Sequence, residues 1–154
     1  MLKSSNLSLL CGLMLITLSQ CSNENEKSNQ FLTPFTKNAE INPCLLPTVN
    51  RSCICPVRET EVFWEEKDVF NPASVVKGDT LFLLYRAEDV LGKYHGTSRI
   101  GLAYSLDGYH FEKYNEPVLF PDNDELKKLG WEGGCEDTGV VEDENGGYYM
   151  TYTA

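Results

Sequence analysis

The chain has 154 residues and carries 13 Lys and Arg against 23 Asp and Glu, a formal net charge of −10. A surface this acidic repels phosphate backbones, which argues against nucleic acid as a partner and leaves neutral sugar polymers open. Cys53-Ile54-Cys55 lacks zinc-knuckle spacing and only two His are present to complete any other metal site, so no metal is expected.

Met1 to Lys3 is a short basic head, and Leu7 to Leu18 is an apolar run of about a dozen residues, short of the ~20 that span a bilayer. Leu18-Ser19-Gln20-Cys21 closes this segment as a bacterial lipobox does, with Gln20 where Gly or Ala is more usual. Residues 1–20 therefore read as a lipoprotein signal peptide, and Cys21 as the lipidated residue that anchors the chain to a membrane. Residues 21–30 are polar with nothing to bury, a solvated tether. Its acidic start resembles the tails of surface lipoproteins in Bacteroidetes, which places the protein as an outer-membrane lipoprotein on the periplasmic or cell-surface face. Loss of Lys3 leaves 12 basic residues against 23 acidic ones, a mature net charge of −11. Cys44, Cys53, Cys55 and Cys135 remain, an even number that favours disulfides in an exported chain, with the pairing open.

Residues 31–154 form the body. From Phe31 to Val57 the chain is rich in Pro, Asn and Cys without periodicity and predicts an irregular arm, with turns at Asn42-Pro43 and Cys55-Pro56. Glu61 to Phe70 predicts a strand. Val75 to Lys77 and Thr80 to Arg86, split by Gly78-Asp79, predict a hairpin. Glu88 to Ser98 is a polar loop. Ile100 to Ser105 and His110 to Tyr114, joined through Asp107-Gly108, predict a second hairpin. Asp122 to Leu129 is the one helix-like stretch, of about two turns. Tyr148 to Thr153 is again strand-like.

The segment Gly130 to Ala154 copies an earlier one. Asp137 stands where Asn71 does, Val140 and Val141 fall on Val75 and Val76, Tyr152 on Tyr85 and Ala154 on Ala87, with slack in the turn. A repeat of about 66 residues built from short strands is the signature of a radial β array. Equivalent positions of successive blades lie at the same height around the axis, so Asn71 and Asp137 are expected to face each other across the mouth of a funnel. About one and a half blades are present and a propeller needs at least four to close, so the chain reads as the front part of a longer protein.

Cleaving a glycosidic bond requires a proton for the leaving oxygen and a nucleophile on the opposite face of the sugar. Asp137 is the candidate acid, with a pKa expected to rise in a partly dry funnel. Glu136 is expected to point away from it along an extended strand and to act as a supporting carboxylate. Arg86 and Arg99 suit sugar hydroxyls or an oxyanion, with salt bridges to Glu88 or Asp89 as the plainer reading. Asn71 offers a donor and an acceptor to a hydroxyl pair. Trp64, Tyr94 and Trp131 suit sugar stacking, although aromatics in a β body are more often core. His95 and His110 receive no role.

Four separated stretches, WEEKDVFNPASVV, LFLLYRAED, TSRIGLAYSLDGYHF and GGCEDTGVVEDENGGYYMTYTA, resemble in their order the amino-terminal part of glycoside hydrolase family 130, the mannoside phosphorylases and β-mannosidases. The resemblance implies an all-β, five-bladed propeller acting on a β-mannoside oligosaccharide or glycan with inversion. It implies no cofactor, with inorganic phosphate as co-substrate in the phosphorylases and water in its place in the hydrolases. It assigns the proton donor to Asp137, contacts with mannose and phosphate to Asn71 and Arg86, and a further pocket-lining cation to Arg99. One departure stands out: Thr138-Gly139 replaces the family's usual Pro-Arg after the acid, which removes a guanidinium from its side. The isolated chain is expected to be inactive. The alternative is a surface glycan-binding propeller that holds sugar without cutting it.

Overall fold

A computed structural model describes residues 36–154. The expected signal peptide, lipidated Cys21 and tether lie outside the described residues. The described body is all β apart from one helical turn: β1 Cys53–Cys55, β2 Thr60–Val62, β3 Asp68–Lys77, β4 Thr80–Glu88, β5 Ser98–Ser105, β6 Glu112–Lys113, α1 Lys127–Gly130, β7 Glu136–Glu142 and β8 Tyr148–Thr153. They form three antiparallel sheets, β1-β2, β3-β4-β5-β6 and β7-β8.

The four-stranded sheet is a meander in which each strand pairs with its neighbour in sequence. Gly78-Asp79 makes the predicted two-residue turn, with Lys77 paired to Thr80 and Gly78 at φ 61. The Asp107-Gly108 turn is present too, fixed by Asp107 Oδ1 accepting from the backbone N–H groups of Tyr109 and His110, both at 2.8 Å. Its second strand is shorter than expected: only Glu112 and Lys113 pair with β5, because the turn spends residues up to His110 on hydrogen bonds to the Asp107 side chain.

Trp64, Tyr85, Ala87, Ala103, Cys55, Val62 and Leu83 form the core. Trp64 is fully buried, with its indole Nε1 donating to the Asn115 carbonyl at 3.1 Å. It is core and not a sugar platform. Gly101 makes room for Tyr85, since a Cβ there would lie 2.4 Å from the ring. The Tyr85 hydroxyl donates to Glu65 at 2.9 Å, and Arg51 and Lys113 pair with the same fully buried carboxylate at 3.3 and 2.9 Å. Burial, the Glu65 charge and that bond raise the Tyr85 pKa. This network ends the expected Glu61-to-Phe70 strand early: Glu65 is drawn inward, the chain turns with Glu66 N–H on the Phe63 carbonyl, and β3 begins at Asp68. The irregular arm likewise contains a small hairpin, β1 with β2, in which Cys55 is buried.

The helix is one turn, Lys127–Gly130, and not two. Its N-cap residue, Leu126, makes no side-chain cap, but the Asp124 carboxylate accepts from the Leu126 N–H at 2.9 Å in the turn before it. Cys44, Cys53, Cys55 and Cys135 are free thiols, so the disulfide expectation is not met. Burial raises the pKa of Cys53, and that of Cys135 to about 11. The buried Cys55 and Cys135 act as small apolar fillers.

The repeat is real at the level of hydrogen bonds. In β3 the register with β4 shifts between Phe70 and Ala73, and in β7 the register with β8 shifts between Glu136 and Gly139. Both bulges hold a non-glycine residue at positive φ, Asn71 at 46° and Asp137 at 47°. The pairing puts Val141 opposite Tyr149 as Val75 is opposite Phe82, so Val141 and not Val140 occupies the place of Val75. The slack is one residue in the turn, where Gly147 accepts from Asp143 N–H at 2.9 Å.

Candidate functional site

Asparagine and aspartate tolerate the left-handed region better than most residues, because a short polar side chain can bond locally. The two bulges use that tolerance to turn Asn71 and Asp137 out of strand alternation. The result is a direct hydrogen bond, Asn71 Nδ2 donating to Asp137 Oδ1 at 2.8 Å. The two equivalent positions therefore meet, as the repeat predicts.

Arg86, on β4, completes the group. Its Nη1 lies 3.4 Å from Asp137 Oδ1, its Nη2 donates to Glu88 at 2.6 Å and to Glu136 at 2.8 Å, and its Nε donates to Ser98 Oγ at 2.9 Å. The Phe70 ring lies 4.7 Å below the guanidinium carbon, a stacking contact that flattens its orientation. Glu88 also takes Lys67 Nζ at 2.7 Å and Ser98 Oγ at 3.1 Å. Glu136 does not point away from Asp137 as expected: the bulge at Asp137 breaks the alternation, so both neighbouring carboxylates reach Arg86.

Gly134 sets the height of this pair. It sits at φ 98 beside Ser98, and a Cβ would lie 2.1 Å from the Ser98 carbonyl oxygen. Ser98 N–H donates to the Gly133 carbonyl at 3.0 Å and Cys135 N–H to the Ser98 carbonyl at 2.9 Å, which docks the start of β7 on β5. Thr138 adds a bond from its hydroxyl to the Leu84 carbonyl at 3.1 Å.

The Asp137 side chain is 47 % exposed. Its pKa is held below the usual carboxylate value, first by the Asn71 hydrogen bond, against an opposing effect of burial, with the Arg86 hydrogen bond and charge adding to the lowering. The expected rise is thus reversed in this geometry: donors face the carboxylate and little protein covers it. Burial pushes the Glu88 pKa up, but bonds from Lys67, Arg86 and Ser98 outweigh it and the net shift is down.

Arg99 is not brought to this site. Its guanidinium is 1 % exposed and pairs with the fully buried Asp89 at 2.8 Å, on the face of β5 opposite to Ser98 and Arg86. The plainer reading, a salt bridge at the root of the 89–97 loop, is what the structure shows. Tyr94 stands on that loop, exposed, with Lys93 Nζ 5.3 Å from its ring. Trp131 is half-buried under the Arg58 guanidinium at 4.9 Å. Ser98 and Lys67 were not singled out by the sequence, and Glu88 was read only as a salt-bridge partner, which it is, of Arg86. The signal that could have placed Glu88 here is spacing: it is two residues from Arg86 on a strand, and so on its face.

Two equivalent positions of a repeated β scaffold thus gather an acid, an amide and an arginine at one sheet end. The sequence profile of family Glyco_hydro_130, described as beta-1,4-mannooligosaccharide phosphorylase, matches residues 47–154. The beta-1,2-mannobiose phosphorylase of Thermoanaerobacter sp. (strain X514) is 37% identical over 113 residues, covering 68% of this chain and 35% of that protein. The 1,2-beta-oligomannan phosphorylase of the same organism is 34% identical over 109 residues, covering 68% and 33%. One solved structure comes from work on hydrolases, within the GH130 mannoside phosphorylases, that target beta-1,2 mannosidic linkages in Candida mannan. It matches with a TM-score of 0.73 at 44% identity, over 77% of this chain and 34% of that one. The chain belongs to glycoside hydrolase family 130. It spans about a third of the length of these relatives.

Proposed function

We propose that this chain is the amino-terminal part of a five-bladed propeller enzyme that cleaves β-mannosidic linkages with inversion. Asp137 is the proton donor, Asn71 and Arg86 hold the mannose, and phosphate or water is the nucleophile. The observation that carries the reading is the 2.8 Å bond between Asn71 and Asp137, with Arg86 beside them, at equivalent positions of two repeats. A sugar seated over the carboxylate excludes water from it, and that desolvation raises its pKa and prepares it to carry a proton at the moment of cleavage. The residues described span about a third of the relatives' length, and on this reading they are not active by themselves. Signal-peptide removal and lipidation at Cys21 put the protein on the bacterial outer membrane.

A binding role is the second reading. Gly139 stands where the family usually has arginine, so the acid lacks that cation. The test is to express the protein from its complete coding region and supply β-1,2-mannobiose, the linkage named for both phosphorylase relatives. Mannose 1-phosphate formed only with phosphate marks a phosphorylase, and mannose formed without it a hydrolase. Sugar bound and returned unchanged establishes the binding reading. Radiolabelled palmitate retained by the wild type and lost in Cys21→Ala tests the anchor.

A further inference from the structure

Arg86 is the hinge between the acid and the rest of the sheet, and its donors are almost fully committed. Nη2 serves two carboxylates and Nε serves Ser98, which leaves Nη1 aimed at Asp137. Glu88 is the better fixed of those carboxylates. It lies on the same strand and face as Arg86, only 12 % of its side chain is exposed, and its second oxygen is bound by Lys67 at 2.7 Å. The Lys67 backbone N–H also donates to the Glu88 carbonyl at 3.0 Å. The turn before β3 and the end of β4 are thus clasped at two points. Glu136 is more exposed, at 26 %, and shares the bulged start of its strand with Asp137 itself.

We propose that Glu88, clasped by Lys67 and Ser98, is a positioning residue that holds the Arg86 guanidinium in place and sets how tightly it grips Asp137. The assignment rests on the reading of Asp137 as proton donor. The charged and titratable groups that meet there are Lys67 before β3, with Asp68 beside it, Arg86 and Glu88 on β4, and Glu136 and Asp137 on β7; Asn71 on β3 and Ser98 on β5 supply neutral hydrogen bonds. A carboxylate on Nη2 offsets the arginine's charge. Without it the guanidinium is freer to turn to Asp137 and to bind it as an ion pair, which favours the ionised acid. Removal of Lys67 acts in the opposite sense, because Glu88 then has one cation to serve in place of two.

The experiment is a carbon-13 titration of the Asp137 carboxyl, together with the pH profile of kcat/KM, in the protein from its complete coding region. Glu88→Gln keeps the hydrogen-bonding shape and loses the charge. It is expected to move the Asp137 titration down by about one pH unit. Lys67→Met is expected to move it up, by less. In an Arg86→Gln background the Glu88→Gln shift falls below half. Two shifts of the same sign, or none, overturn the proposal, since a loss of packing has no reason to give opposite signs. An undiminished shift in the Arg86→Gln background also overturns it, because Glu88 would then act through space. Carboxyl shifts as expected while the descending limb of kcat/KM stays fixed support the positioning role and remove Asp137 from proton transfer, so the two readings fail separately.

Discussion

The β3-β4 and β7-β8 hairpins share one backbone and divide the chemistry. Each has the same bulge after its first residues, with a residue near φ 46 at its centre. In the first repeat that residue is an amide, and the paired strand supplies a cation: Asn71, with Phe70 facing Arg86. In the second it is an acid preceded by another acid, and the paired position is neutral: Asp137, with Glu136 facing Thr153. A bulge gives height and direction without fixing chemistry. Two copies therefore build a donor half and an acid half of one site. Their burial differs as well. Tyr85 is 1 % exposed because β5 covers β4 from Leu81 to Glu88, whereas its counterpart Tyr152 is 42 % exposed.

The heaviest blow to the comparison is to unseat the second repeat. Gly134→Ala places a Cβ against the Ser98 backbone at a φ that favours glycine. It is expected to destabilise the fold by about 2–4 kcal/mol, read as a lowered denaturation midpoint, and to reduce turnover by displacing Asp137. A midpoint unchanged from wild type would show that the 133–135 segment does not set the height of the acid.

Making the halves alike comes next. Asn71→Asp puts two carboxylates where a 2.8 Å hydrogen bond stood, and the pair is expected to share a proton, with one apparent pKa raised by about one unit or more. A raised folded pKa gives stability that is present at low pH and lost as pH rises through it. The wild type has the opposite sign. Asp137 is depressed by Asn71 and Arg86, so its contribution is present above the ordinary carboxylate pKa and is lost as pH falls through the folded value. With nearly half of that side chain exposed, solvent screening keeps the wild-type effect to a few tenths of a kcal/mol. Urea denaturation at pH 3 and pH 6 of the wild type and Asn71→Asp separates the two signs.

Much of this arrangement was legible in the residues. The 66-residue spacing placed Asn71 against Asp137 because a repeat carries its geometry with it. Gly78-Asp79 and Asp107-Gly108 marked their turns because positive φ demands such residues. What escaped depends on long-range partners. Nothing local says that Glu65 is drawn into the core by Arg51, Lys113 and Tyr85; the salt bridge of Arg99 with Asp89 was one reading of the residues, but its full burial away from Arg86 was not. The positive φ of Asp137 escaped too, and with it the inward turn of Glu136, since an extended strand was the default expectation. The Lys67 and Glu88 clasp joins residues 21 apart in the chain, and only strand pairing brings them together.

The most direct measurement compares Asp137→Asn with the wild type, in the protein from its complete coding region, on two substrates: β-1,2-mannobiose and an aryl β-mannoside whose leaving group needs no proton. The account predicts a loss of about 10²–10⁴-fold on mannobiose and a much smaller loss on the aryl mannoside. Equal losses on both, or full activity on mannobiose, would contradict Asp137 as the proton donor.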